Sequence, residues 1–185
     1  MSVSHVIAAV VLGTMWVIFL LTWTIPSFRR REPHEVLVSF GFASFVSLAV
    51  LVYWGVWQAP RNSTLVIAAL PLQVVALLLI VGSFSSLRSK GQPVDTWEQT
   101  TVLVESGVYR IARHPMYLGT ALWAAGMALA TPDLRIALLA AAVVALAFAA
   151  SITEDRYNVR KFGKAYADYM QRVPLTNLPG MRKKR

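Results

Sequence analysis

Long apolar runs dominate this chain and leave few ways for it to fold. They cover residues 6–25, 36–57, 65–84, 117–130 and 134–152, and apart from Arg135 near one edge they carry no charge. Crossing about 30 Å of hydrocarbon takes roughly 20 helical residues. Inside lipid only helices and closed barrels satisfy every backbone polar group, and runs of this kind read as helices. The fourth run is short, reaching about 21 Å as a straight helix, unless the helix begins at Pro115. Polar breaks separate the runs: Arg29-Arg30-Arg31-Glu32-Pro33, Ala59-Pro60-Arg61-Asn62, the stretch 88–105, and Thr131-Pro132-Asp133. Composition agrees, since only 15% of the 185 residues are charged, against about 25% in a soluble domain. The expected fold is an all-α integral membrane protein with five transmembrane helices. It forms one domain over 1–185, divided into an N-terminal two-helix region, 1–60, and a core, 61–185. With no cysteine in the chain, disulfides, thiolate metal sites and a cysteine nucleophile are excluded.

Five spans put the termini on opposite sides, and the basic residues then sort. Sixteen of the 18 fall on one side, namely Arg29, Arg30, Arg31, Arg88, Lys90, Arg110, Arg113 and nine between Arg156 and Arg185; Arg61 and Arg135 fall on the other. The positive-inside rule then places the N-terminus outside and the C-terminus in the cytoplasm. The same sorting explains the net charge of +9 as residues flanking spans against anionic lipid, so nucleic acid is not an expected partner. The first run has no preceding charge and is followed by arginines, so it reads as an uncleaved span rather than a signal peptide. Pro132 and Asp133 turn the last two runs into a hairpin. Gly119, Ala124, Ala125, Gly126 and Ala128 are expected to pack there against the alanine-rich helix 137–150.

The residues able to do chemistry gather on the basic side. One cluster runs from Leu103 through Tyr109, Arg110, Arg113, His114 and Tyr117 into the fourth run. The other follows the fifth run with Glu154-Asp155-Arg156, Phe162-Gly163, Tyr166, Tyr169 and Val173-Pro174. Both hang from one end of the hairpin, so they should be neighbours. Pro115 is placed to open a helix with His114 at its cap, giving an end that suits an anionic group, with Arg110 and Arg113 adding positive charge. The plainer alternative is a capped helix with arginines anchored to headgroups. Glu154 and Asp155 either pair with Arg156 or Arg110, or offer a carboxylate to a nucleoside ligand. The tyrosines serve as interfacial belt residues or as aromatic faces for a cation. Residues 154–173 read as one amphipathic helix on or under the membrane. The Glu32-Pro33-His34-Glu35 cluster reads as an ordinary loop, and no metal site is expected. HExxH, Walker A and GxGxxG motifs are absent.

The string Leu103-Val104-x-x-Gly107-x-Tyr109-Arg110-x-x-Arg113-His114-Pro115-x-Tyr117-x-Gly119 resembles the signature of the isoprenylcysteine carboxyl methyltransferases, to which the phospholipid methyltransferases look related. Glu154-Asp155, Phe162-Gly163-x-x-Tyr166-x-x-Tyr169 and Val173-Pro174 match the same family in order and spacing, so the resemblance covers roughly 93–179. It implies transfer of a methyl group from S-adenosyl-L-methionine to a lipophilic acceptor such as an isoprenylcysteine-like carboxylate, an aminophospholipid or a thiol. It implies a donor site on the cytoplasmic side, closed by the C-terminal amphipathic helix. The residues it carries over for that site are Thr101, Val102, Leu103, Val104, Tyr109, Arg113, His114, Pro115, Met116, Tyr117 and Glu154, with His114, Tyr117 and Glu154 closest to catalysis. Where the eukaryotic members have a substrate-related arginine four residues before the glutamate, this chain has Ala150. That departure leaves donor binding untouched and bears only on an isoprenylcysteine carboxylate as the acceptor. Two other readings remain: an NADPH-dependent reductase of sterol-reductase-like architecture, and a small membrane protein without enzymatic activity. The near absence of charge within the spans argues against an ion path.

Overall fold

The computed structural model describes residues 3–54, 62–94 and 99–175. The end of the second run at 55–57, the break at 59–61 and the basic tail at 182–185 lie outside them. Apart from an isolated bridge between Pro93 and Thr100, the regular structure among the described residues is helical.

The first helix is continuous but not uniform. Helix α1 (Val3–Phe19) passes through a π turn, Leu20–Thr24, into α2 (Ile25–Arg29). Pro26 explains the turn: it has no N–H to give, and its ring would crowd the carbonyl one turn back. One wider turn, in which the Ile25 N–H donates to the Leu20 carbonyl, absorbs the misfit. Prolines also open two later helices at their first turn, where a missing N–H costs nothing: α3 (Pro33–Tyr53) and α5 (Pro115–Ala130). Side-chain caps open the other two long ones. The Asn62 carboxamide accepts from the Thr64 N–H at 2.9 Å to start α4 (Ser63–Lys90), and Asp133 accepts from the Arg135 N–H at 2.8 Å to start α6 (Leu134–Phe162).

Among the described residues, four helices are long and apolar enough to cross a membrane: His5–Arg29, Pro33–Tyr53, Ser63–Lys90 and Leu134–Phe162. The fourth apolar run is α5, which begins at Pro115 and has 16 residues. At 29 residues α6 measures roughly 44 Å, so its polar end projects past the apolar stretch that finishes at Ile152. Here the single amphipathic helix expected over 154–173 is corrected. Residues 154–162 prolong α6, Gly163 at φ +60° breaks it, and a separate α7 (Lys164–Arg172) follows. A left-handed backbone suits glycine, which is why the break falls there.

Across the bundle the order is first helix, α3, α6, α5, α4. The core joins Leu48 and Val52 of α3, Ala124 and Met127 of α5, and Ile136, Ala140 and Val143 of α6. Outward-facing side chains such as Leu70, Leu78 and Leu138 are also apolar, as befits helices whose solvent is lipid. The expectation that the small residues of α5 all face α6 is half right. Ala124 does, but Gly119 and Gly126 face α4 instead. A Cβ on Gly119 would stand 2.8 Å from the Ala76 carbonyl oxygen and 3.3 Å from Leu79 Cβ. The backbone of α4 thus leaves no room for a side chain at Gly119, and α4 is the neighbour this glycine faces.

Gly119→Ala is expected to destabilise by about 1–3 kcal/mol, the usual cost of overpacking. It would be read as a lowered Tm of the detergent-solubilised protein. Gly13→Ala, where a Cβ would have nothing within 4 Å, should leave Tm unchanged. Equal effects of the two would refute this packing.

Candidate active site

The site is assembled at the basic end of the α5–α6 hairpin. Successive residues of a helix point about 100° apart, so Glu154 and Asp155, adjacent in sequence, serve different neighbours. Asp155 turns inward. Its Oδ2 accepts from Arg113 Nη2 at 2.8 Å, and its Oδ1 accepts from Tyr166 Oη at 2.6 Å and lies 2.8 Å from His114 Nε2. A carboxylate beside an arginine only accepts, so His114 Nε2 carries the hydrogen of that bond. Of the partners offered by the sequence for these acids, neither Arg156 nor Arg110 is the one Asp155 takes; it pairs with Arg113 and His114.

Arg113 does a second task. Its Nη1 donates to the carbonyls of Met170 and Val173, both at 3.1 Å, and its backbone N–H donates to Pro174 O at 3.2 Å. The last carbonyls of a helix have no partner within it, and here one guanidinium supplies it, tying the end of α7 to the entry of α5. Arg113 Nε is buried without a hydrogen bond. The inner face of α7 is apolar and aromatic: Tyr166, Tyr169 and Val173 pack with Leu103, Phe162 and Met170. Tyr169 Oη donates to the Tyr109 carbonyl at 2.6 Å. Burial drives the Tyr166 and Tyr169 phenols above their ordinary range, with Asp155 adding to the shift at Tyr166 and Glu105 at Tyr169. Both therefore stay neutral and donate. The Tyr109 phenol is raised the same way, by burial and then by the charge of Glu154.

Glu154 faces α5. Its Oε2 accepts from Tyr117 Oη at 2.5 Å and stands 3.8 Å from His114 Nδ1, while Oε1 takes a long bond of 3.4 Å from Asn158 Nδ2. The His114 and Tyr117 rings stack, with centroids 5.6 Å apart. The Glu154 side chain keeps 28% of its surface exposed against 10% for Asp155. Glu154 can therefore still meet a ligand, whereas Asp155 is spent on the fold.

Of the residues singled out from sequence, Arg113, His114, Tyr117 and Glu154 come together, and Tyr109 joins them through Tyr169 and the field of Glu154. Pro115 and Val104 are buried, and Met116 and Leu103 are half-buried. Thr101 and Val102 are exposed and fold back on the end of α4: both backbone N–H groups donate to the Gly91 carbonyl, and the Thr101 hydroxyl donates to that of Gln92. The loop expected at His34 is instead the first turn of α3. The His34 ring is buried and stacks on Tyr157 at 4.4 Å. Pro33, a helix-opening residue, was the available signal for that helix.

Comparison with known proteins shows the family. The model of the phospholipid methyltransferase family matches residues 64–165, and the chain belongs to that family. It is 33% identical over 170 residues to protein-S-isoprenylcysteine O-methyltransferase B of Arabidopsis thaliana, an alignment covering 84% of this chain and 83% of the relative. Over 74 residues, 40% of this chain and 31% of the relative, it is 36% identical to the protein-S-isoprenylcysteine O-methyltransferase of Schizosaccharomyces pombe. Over 147 residues, 79% of this chain and 62% of the relative, it is 31% identical to the cobalt-zinc-cadmium resistance protein CzcN of Cupriavidus metallidurans. No solved structure matches. The chain is thus an integral membrane methyltransferase.

Removing one partner of a buried pair leaves the other charge uncompensated, at a cost of about 3–5 kcal/mol. Asp155→Ala is expected to lose that much, whereas Glu154→Ala, at a half-exposed position, should change stability by less than about 1 kcal/mol. Thermal unfolding of the two purified variants tests the division; a reversed order would overturn it.

Proposed function

We propose that the chain transfers a methyl group from S-adenosyl-L-methionine to a lipophilic acceptor in the membrane, at the site formed by Glu154, His114 and Tyr117. The observation that carries this reading is Glu154. It is an accessible carboxylate, fixed by Tyr117 and backed by His114, inside the segment that the family model matches. The residues present suit such a donor, which brings an electrophilic methyl on a cationic sulfur. A carboxylate accepts hydrogen bonds from hydroxyl and amino groups, and the rings of Tyr117 and Tyr109 offer faces to a cation.

Methyl transfer is an in-line displacement that depends on alignment more than on a general base, and positioning alone can supply about 7–11 kcal/mol. The protein's part is accordingly to hold groups still. Tyr117 orients Glu154, Asp155 fixes the ring of His114, and Arg113 keeps α7 in place as the closure of the donor site. His114 Nδ1 and Glu154 remain able to take a proton, which an amine acceptor has to lose and a carboxylate or thiolate does not. The acceptor classes that fit are an isoprenylcysteine-like carboxylate, as the name of the Arabidopsis relative suggests, an aminophospholipid, as the family name suggests, or a thiol.

The arrangement in the membrane follows from charge. We infer that α5 crosses as a fifth span, and that the basic end, with the site and the C-terminus, faces the cytoplasm while the N-terminus lies outside. Residues 61–185 form the methyltransferase core, and 1–60 an N-terminal helix pair.

A ligand that binds the folded state at about 100 times its Kd stabilises by about 2.7 kcal/mol. S-adenosylhomocysteine at millimolar concentration is therefore expected to raise Tm by several degrees in detergent, and NADPH to leave it unchanged. Glu154→Ala and His114→Ala should each abolish the shift. A shift with NADPH in its place would favour the reductase reading, and an intact shift in both variants would sink the site assignment.

A further inference from the structure

The N-terminal helix pair lies outside the segment matched by the family model, yet it reaches the site. The route begins in the π turn of the first helix, where Trp23 Nε1 donates to Glu35 Oε2 at 2.8 Å. The other oxygen of Glu35 stands 3.6 Å from His34 Nε2. The His34 ring, only 6% exposed, lies on the Tyr157 ring at 4.4 Å between centroids and 28° between planes. Tyr157 is three residues past Glu154 on α6, within one helical turn.

This contact falls where α6 most needs support. Beyond Ile152 the helix projects as a polar rod past its apolar stretch. On one side α5 braces it through the bonds of Asp155 and Glu154. On the other, α3 approaches closely at Gly41, where a Cβ would meet Leu146 Cβ at 3.5 Å. From there α3 runs towards the site as far as Pro33, and His34 in its first turn is the last place where it can grip α6. A flat, buried imidazole seated on a phenol ring resists both tilt and rotation of that turn, and the Glu35 carboxylate stands beside it.

We propose that His34 is a positioning residue of the methyl-transfer site: stacked on Tyr157, it holds the turn of α6 that carries Glu154, so that the N-terminal helix pair sets donor affinity. The proposal rests on reading Glu154 as part of the donor site. It assigns a role to a pair of helices that the motif string does not include.

The test is the Kd of S-adenosylhomocysteine, measured by calorimetry on purified full-length protein in detergent, well below each variant's Tm. His34→Ala is expected to weaken binding at least tenfold. His34→Phe, which keeps a flat ring on Tyr157, should stay within threefold of the wild type. Tyr157→Leu removes the stack from the α6 side, should match His34→Ala, and decides the matter should that variant not fold. Val52→Ala, in the core at the other end of α3, should lower Tm while leaving Kd within twofold, which separates positioning from loss of stability. Unchanged affinity in folded His34→Ala or Tyr157→Leu would overturn the proposal, as would failure of His34→Phe to restore binding. A wild-type protein that does not bind the ligand would instead overturn the donor reading on which the proposal stands.

Discussion

One buried carboxylate organises the basic end of this protein. Asp155 sits on α6 where three helices meet, and the other two send it donors: Arg113 and His114 from the entry to α5, and Tyr166 from α7. Burying the two full charges of such a pair costs several kcal/mol per ion, so the network contributes little net stability. What it supplies is geometry. A carboxylate that accepts three bonds tolerates little movement of any donor, and each donor here is anchored elsewhere as well. Arg113 reaches on to the carbonyls ending α7, and the His114 ring lies against Tyr117. Shifting α7 would break the bonds of Arg113, and rotating the start of α5 would break those of His114.

The neighbouring acid gains its freedom from this arrangement. Asp155 takes the Arg113 guanidinium, while Glu154 accepts hydrogen bonds from the neutral groups of Tyr117 and Asn158, with His114 at a longer distance. A carboxylate already committed to a guanidinium would have little to offer a cationic ligand. Two acids side by side on one helix thus differ, the inner one tying α5 and α7 together and the outer one staying partly exposed. Only the helical rotation between them makes the division possible.

Much of this was legible in the sequence, because hydropathy and proline are strong local signals. The apolar runs became helices, Pro115 opened α5, and the two polar clusters met because a short hairpin left them no alternative. Partner choice was less legible. Asp155 ignores Arg156, its own neighbour, because the next residue on a helix points away, and it finds Arg113, 42 residues distant. Gly119 and Gly126 resembled contacts for the next helix in sequence, but α5 lies between two helices and only the folded arrangement shows which is closer. The amphipathic stretch after Ile152 carried a continuous helical pattern, and Gly163 was the residue that divided it. Around His34, charges and a proline resemble a loop, whereas that proline begins a helix.

A bilayer explains why the chemistry collects at one end. Within hydrocarbon, a helix gains nothing from hydrophobic contact that lipid does not already offer, so close approach depends on small residues and on polar groups satisfied inside the bundle. Gly119 against α4 answers the first requirement, and the buried pair of Thr24 and Ser39, 2.8 Å apart, answers the second between the first helix and α3. Neither could hold an ionised acid, which inside lipid is expensive to keep. By letting α6 outrun the apolar layer, the fold keeps Glu154 and Asp155 on the same rigid rod as the membrane core yet beyond it.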